Sequence, residues 1–196
     1  MESTLINSRN VCFSGGAKGA DYLFGECAAL CGHKVMHFSF EGHKPKSKTN
    51  IYVLPEQYLL KADPHIKKAN RFLERTFPSK SVYVDNMLRR NFFQIKSTDR
   101  VYAVTYMDPK TGLPSGGTAW AVVMAAQRGV KEIYLFDQTT QWWWQFSTFN
   151  GVFNETIDWK QIDKPPTPSG HYTGIGSRDL TTAGEEAIVK LFEECE

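Results

Sequence analysis

Three stretches of the sequence combine glycine with hydroxyl side chains, and two of them also hold charged side chains, a combination that suits the binding of a phosphate group. They are Ser14-Gly15-Gly16-Ala17-Lys18-Gly19-Ala20-Asp21, Ser115-Gly116-Gly117-Thr118 and Gly174-Ile175-Gly176-Ser177-Arg178. Glycine lets a ligand approach the backbone closely, and a helix that begins after such a turn offers unpaired N–H groups and a partial positive charge. Taken alone, the first stretch is equally consistent with a strand-to-helix turn that binds nothing.

The elements around these turns predict an α/β fold with parallel strands. An apolar run at 10–14, helical periodicity over Ala17–Leu30 and a second apolar run at Val35–Phe40 predict two parallel strands joined by a right-handed crossover. Further strands are predicted at Arg100–Tyr106, at Glu132–Phe136 and before Gly174, and helices at Leu54–Leu60, His65–Phe77, Val82–Ile95, Ala119–Arg128 and Thr181–Cys195. Parallel strands place their carboxyl ends at one edge of a sheet, so the three glycine turns should converge there. This convergence favours a phosphate-bearing ligand over three empty turns.

The turns assign candidate roles to individual residues. Backbone N–H groups or a close approach to the ligand would come from Gly15, Gly16, Gly19, Gly116, Gly117, Gly174 and Gly176. Thr118 and Ser177 can donate hydroxyl hydrogen bonds, and Lys18 and Arg178 are the best charged partners for phosphate. A cation near a helix start is disfavoured by the helix dipole, so the position of Arg178 indicates a function.

Two long segments show no clear periodicity. Residues 41–64 are long for a connection in a compact domain and suggest a functional loop or lid. The basic stretch His43–Lys48 within them is either a solvated loop or a lid that reaches a phosphate. Residues 137–169 are rich in tryptophan and phenylalanine, which indicates core and edge packing or a base-stacking platform, with a hairpin turn expected at Asn150-Gly151. The aromatic stretch Trp142–Phe153 is a candidate interface of a homo-oligomer.

Composition restricts the class of protein. The 196 residues are 41% hydrophobic and 22% charged, as in an ordinary globular chain, and suffice for one sizeable domain. The net charge of +2 argues against nucleic acid as a partner. Four cysteines without a CxxC pair and five scattered histidines suggest neither a metal site nor a redox motif. With no signal peptide and no long apolar window, we expect a cytoplasmic protein without a membrane segment or a cofactor.

Four motifs resemble those of the SLOG superfamily, which includes YpsA-like and YspA-like proteins, the DNA-processing protein A family and the Lonely Guy phosphoribohydrolases. Ser14–Asp21 resembles its SGGARGAD signature, and Thr173–Arg178 resembles the strand and turn that open its fold. Ser115–Trp120 resembles the GGT segment of YpsA-like members, and Arg90-Asn91 their RN element. Here the opening turn follows the Ser-Gly-Gly turn, an order that suggests the circularly permuted YpsA-like branch.

The resemblance implies a three-layer Rossmann-like fold, a parallel sheet with helices on both faces, as one circularly permuted domain over residues 1–196. It implies a sensor or sequestering protein that binds a nucleotide or a nucleotide-derived ligand of the ADP-ribose, NAD or cyclic nucleotide kind. Ser14, Arg90 and Asn91 join the site by this resemblance, although Asn91 is equally suited to a hydrogen bond at a helix end. Asp21 either orders its own turn or contacts a ribose hydroxyl.

The resemblance also supplies two alternative functions. Lonely Guy enzymes hydrolyse an N-glycosidic bond with a PGGxGTxxE motif, and this chain has no glutamate at the corresponding place after Thr118. The first alternative is an N-glycosidase or nucleotide hydrolase that uses the same site. The second is a DNA-binding module like DNA-processing protein A.

Overall fold

The computed structural model describes residues 9–147 and 158–195, and these form a single sheet covered by helices. Within these residues the strands are β1 (Val11–Ser14), β2 (Lys34–Phe40), β3 (Ile51–Leu54), β4 (Arg100–Thr105), β5 (Glu132–Asp137), β6 (Trp142–Phe146), β7 (Trp159–Ile162) and β8 (His171–Gly176). Their order across the sheet is β3-β2-β1-β8-β4-β5-β6-β7. Strands β1 to β5 and β8 pair in parallel, and β6 and β7 extend the sheet as antiparallel strands.

Helices cover both faces of the sheet. They are α1 (Ala20–Leu30), α2 (Glu56–Leu59), α3 (Asp63–Leu73), α4 (Val82–Ile95), α5 (Gly116–Gln127) and α6 (Thr182–Leu191), with a short 3-10 turn between α2 and α3. Helices α1 and α6 pack together on one face, and α3, α4 and α5 pack on the other. Of the helices in the described part of the chain, none has the length and apolar character needed to cross a membrane.

The central strands are mostly apolar in their middle positions, as expected of a sheet that is covered on both faces. In β4, Tyr102 and Val104 enter the core beneath α1 and α6, whereas Val101 and Ala103 enter the core beneath α3 to α5. Successive side chains of a strand point to opposite faces. A strand buried on both faces therefore needs an unbroken apolar run, which is the pattern of parallel sheets in α/β proteins.

Strand β8 lies in the centre of the sheet although it comes last in the chain. The chain runs outward from β1 through β2 to β3, crosses to β4 on the far side of β8, and continues outward to β5. The strand order therefore reverses around β8, and the carboxyl ends of β1, β4 and β8 lie side by side. The three glycine turns follow these ends.

The predicted α/β class, a mainly parallel sheet with helices on both faces, is confirmed, whereas the circular permutation stays a prediction. The largest differences concern the irregular segments. Helix α4 has the predicted bounds, and α2 lies inside the predicted short helix. Within the segment 41–64, expected to form a functional loop or lid, Ile51–Leu54 adds an edge strand to the sheet. This run of apolar, β-favouring side chains is itself a strand signal, although its first three side chains are exposed. Strands β6 and β7 pair as a hairpin would, while the predicted turn at Asn150-Gly151 lies outside the described residues.

Candidate functional site

A cavity of about 470 Å³ opens at the edge of the sheet where β1, β4 and β8 end. Its walls come from the turn between β1 and α1, the start of α5, the turn after β8, helix α4 and the connection between α3 and α4. A cleft at the carboxyl edge, where the strand order reverses, is the usual ligand site of an open α/β sheet.

Most of the predicted site residues line this cavity. They are Lys18, Asp21, Arg90, Asn91, Gly116, Gly117, Thr118, Gly176, Ser177 and Arg178. The remaining predicted residues, Ser14, Gly15, Gly16, Gly19 and Gly174, are not part of the cavity wall. The structure thus brings all three turns to one place, and contact of these residues with a ligand stays a prediction.

Asp21 is a buried carboxylate that ties the turns together. Its Oδ2 accepts hydrogen bonds from the Gly15 N–H at 3.1 Å, from Arg90 Nη1 at 3.0 Å and from Gln94 Nε2 at 3.3 Å. Its Oδ1 accepts from the Gly176 N–H at 3.1 Å. Burial raises the pKa of the Asp21 carboxyl, while the Arg90 guanidinium and the backbone N–H groups oppose that rise. These contacts provide the first of the two roles predicted for Asp21, the ordering of its own turn.

The Ser-Gly-Gly turn after β1 has its own N–H groups already paired. The Gly15 N–H donates to Asp21, and the Gly16 N–H donates to Ser14 Oγ at 3.0 Å. A methyl group at Gly15 would overlap the Arg90 guanidinium. Glycine is therefore needed here, because the buried ion pair of Asp21 and Arg90 lies directly against the backbone. In this conformation Gly15 and Gly16 lie outside the cavity wall, and neither has a free N–H group.

The turn after β8 is fixed against α1. A methyl group at Gly174 would overlap the ring of Phe24 on α1. The backbone of Gly19 has a φ of 92°, and a side chain there would overlap the carbonyl of Ser177. That carbonyl accepts the N–H of Ala20 at 3.0 Å, so the β8 turn caps the start of α1. Gly174 and Gly19 therefore allow the turn after β8 to pack closely against α1 and the turn that precedes it.

The start of α5 is the part of the wall that offers free N–H groups. Ser115 precedes the helix without capping it through its side chain, whereas Ser81 and Thr181 cap α4 and α6. The first N–H groups of a helix have no acceptor within the helix. Those of Gly116 and Gly117 are therefore available to an anion in the cavity, together with the positive end of the helix dipole.

Arg90 and Asn91 reach the cavity from α4. Asn91 Nδ2 donates to the Gly117 carbonyl at 3.1 Å, which is a hydrogen bond of the helix-end type. Arg90 is 2% exposed and donates through Nη1 to Asp21 and Gln94. Within residues 9–147 and 158–195, the Arg90 Nε–H has no hydrogen-bond acceptor. A buried donor without a partner costs about 1–3 kcal/mol.

Other polar groups of the cavity can still form hydrogen bonds or ion pairs with a ligand. Lys18 lies 3.8 Å from Asp179, but both side chains are exposed and such a pair contributes little. No carboxylate of the described residues lies within 4.0 Å of the Arg178 guanidinium. The hydroxyls of Ser177 and Thr105 are 2.9 Å apart. Since that contact uses one of their two hydrogens, the other can be donated to a ligand.

The structure adds wall residues that the sequence analysis did not single out. They are Arg75 from the connection between α3 and α4, Tyr83 and Met87 from α4, and Trp120 from α5. They supply another guanidinium and a large part of the apolar wall. The connection reaches the cavity because Phe77 packs against Trp120, with ring centres 6.3 Å apart. The sequence has no local motif that indicates such a contact, so these residues could not be predicted from it.

The basic loop at His43–Lys48, predicted as a solvated loop or a lid, packs on the Ser-Gly-Gly turn. The N–H groups of Lys46 and Ser47 donate to the Gly16 carbonyl at 2.8 and 3.1 Å. The Lys46 ammonium also lies 4.0 Å from the centre of the Tyr22 ring. In this conformation the loop holds the turn in place and lines no part of the cavity.

No protein-family model, curated protein or solved structure shows a significant match to this chain. The function must therefore be inferred from the cavity and its side chains. In the part of the chain that the structure describes, no group of three or more His, Cys, Asp or Glu side chains is arranged to hold a metal ion.

Proposed function

We propose that this protein binds a nucleotide or a nucleotide-derived molecule in the cavity at the carboxyl edge of the sheet, as a sensor or a sequestering protein. The observation that carries the proposal is the start of α5 in the cavity wall, which has no side-chain cap, together with the Arg178 guanidinium of the same wall, which has no carboxylate within 4.0 Å among the described residues. Both features favour an anion. Lys18 adds positive charge to the same cavity.

The rest of the wall suits a base and a sugar. Tyr83, Met87 and Trp120 offer aromatic and sulfur-containing surfaces, on which a base can stack. The hydroxyls of Thr105 and Ser177 can hydrogen-bond to a sugar or a phosphate. A ligand with a charged end and an aromatic end matches this division of the wall.

The geometry favours binding over cleavage of a glycosidic bond. Such cleavage calls for a carboxylate that acts on the bond or on a water molecule. Asp21 is the one acidic side chain among the described residues that line the cavity, and its oxygens already accept four hydrogen bonds. The residues after Thr118 are Ala119, Trp120 and Ala121, so the first turns of α5 add no carboxylate.

The direct test is incubation of the purified protein with a panel of nucleoside mono-, di- and triphosphates, cyclic nucleotides, NAD and ADP-ribose. A rise in unfolding temperature reports binding, and chromatography of the mixture reports any product. A bound ligand recovered unchanged is the expected result. Release of a free base would refute a purely binding role, and the lack of a shift with every member of the panel would refute the nucleotide site.

Arg178→Ala tests the location of the site. Loss of a charge-assisted hydrogen bond to a phosphate should weaken binding about 10-fold or more. Lys131→Ala is the matched control, because Lys131 is an exposed cation before β5, at the opposite edge of the sheet. Its affinity should equal that of the wild type. Unchanged affinity of Arg178→Ala would place the ligand elsewhere.

A further inference from the structure

Arg75 stands where helix electrostatics disfavour a cation. Its Nη1 donates to the carbonyl of Gly116, the first residue of α5, at 2.7 Å. The guanidinium therefore lies beside a helix start, which carries partial positive charge. Its side chain is partly buried, and this burial lowers the pKa of the guanidinium. Within the described ranges, no carboxylate lies within 4.0 Å of it. Among the described residues, Arg75 is thus a cation without an ion-pair partner, at an unfavourable place in the cavity wall.

The connection between α3 and α4 fixes the position of Arg75. Glu74, which lies between the end of α3 and Arg75, has a left-handed backbone conformation with φ 50° and ψ 38°. After it, the Phe77 ring packs on Trp120 and lies 5.8 Å from the Arg89 guanidinium. Ser79 N–H then donates to an Asp85 carboxylate oxygen at 2.8 Å. The backbone is therefore anchored on both sides of Arg75, and the guanidinium is held at the α5 start.

The charges of the cavity indicate what Arg75 would bind. Arg90 is compensated by Asp21, and Lys18 has Asp179 within 3.8 Å. Arg75 and Arg178 are left without an ion-pair partner among the described residues. Two such guanidinium groups and a free helix start suit an anion with two charges. A terminal phosphate carries nearly two negative charges at neutral pH, whereas a phosphodiester carries one.

We propose that Arg75 is a specificity-determining residue that contacts a doubly charged terminal phosphate of the ligand and thereby selects phosphomonoesters over phosphodiesters. This inference rests on the proposed function. The alternative is that Arg75 only fastens the α3–α4 connection to the Gly116 carbonyl. In that case its removal should affect all ligands equally or affect none.

The test is calorimetric titration with adenosine 5′-monophosphate and adenosine 3′,5′-cyclic monophosphate, and with the two guanosine counterparts. The wild type should prefer the monophosphate about 10-fold or more, because one charged hydrogen-bonding partner is lost with the diester. Arg75→Ala should lower that preference several-fold, because only Arg178 and the α5 start then favour the doubly charged form. Arg75→Lys should lower it less, since lysine retains the charge but not the forked geometry. Lys80→Ala, an exposed cation in the same connection, should behave as the wild type.

The ratio of the two affinities within one variant does not depend on the fraction of folded protein, so a loss of stability cannot imitate the result. Wild-type protein that binds both forms equally, or Arg75→Ala protein that keeps the wild-type ratio, would overturn the role of Arg75 and leave the nucleotide site intact. Wild-type protein that binds none of the four nucleotides, nor any of the wider panel, would overturn the proposed function and this inference together.

Discussion

Replacement of Arg90 by methionine should lower the free energy of unfolding by about 3–5 kcal/mol. The Asp21 side chain is 6% exposed, and Arg90 is its cationic partner at 3.0 Å. Methionine preserves much of the apolar stem but leaves the carboxylate buried with three neutral donors. Removal of one partner of a buried ion pair leaves an uncompensated charge, which accounts for a cost of this size. Urea denaturation followed by circular dichroism measures the change.

The neighbouring residue provides a matched control. Arg89 on the same helix forms a two-pronged ion pair with Asp63, at 2.6 and 3.0 Å, but the Asp63 side chain is 25% exposed. Arg89→Met should therefore cost only about 1 kcal/mol, as expected of a pair near the surface. The difference between the two variants isolates the effect of burial.

The pH dependence gives a second readout. Without Arg90, burial acts on Asp21 with less opposition, so the pKa of its carboxyl should rise further. An acid whose pKa is higher in the folded than in the unfolded state loses stability as pH rises through the interval between the two values. The deficit of Arg90→Met should therefore shrink as the pH is lowered and the Asp21 carboxyl becomes protonated in the folded variant. A cost no greater than that of Arg89→Met, together with a deficit independent of pH, would refute the buried ion pair as the centre of this site.

Two further predictions concern glycine and histidine. Gly15→Ala places a methyl group into the space of the Arg90 guanidinium, so the unfolding free energy should fall by about 1–3 kcal/mol or more and nucleotide affinity should fall with it; wild-type values for both would contradict this. His37 is 3% exposed, and burial lowers its pKa from 6.5 to about 4. The unfolded state then binds more protons between these values, so stability should fall by up to about 3 kcal/mol as pH drops through this window. His37→Gln should flatten this dependence, and an unchanged slope in urea titrations would exclude His37 as its source.

The sequence was sufficient for the architecture where the pattern is local. Ser81 caps α4 and the apolar spacing continues to Ile95, so the helix could be predicted from end to end. The strands that precede the glycine turns are mostly apolar, and parallel pairing follows from their alternation with helices. The meeting of the turns after β1, β4 and β8 at one edge could be predicted from the same alternation, because topology alone requires it.

The use of the turns could not be predicted in the same way. Whether a glycine N–H is free depends on partners far away in the chain, as with Gly176 and Asp21, which are 155 positions apart. The sequence therefore suggested equal roles for three turns, whereas the structure pairs Gly15 and Gly16 internally and leaves the start of α5 open. Arg75 is another such case, since its position follows from the packing of Phe77. The resemblance to the SLOG superfamily stays a prediction.

The central place of β8 has a consequence for the synthesis of the protein. The blocks β1–β3 and β4–β7 leave the ribosome first, each with an unpaired edge, at β1 and at β4. One late strand must enter between them and pair with both. Joining segments so distant in sequence is a slow step, and open strand edges invite pairing with other chains. We therefore expect a nascent chain that is stalled before His171 to expose the unpaired edges of β1 and β4 and to associate with other chains more readily than the complete protein.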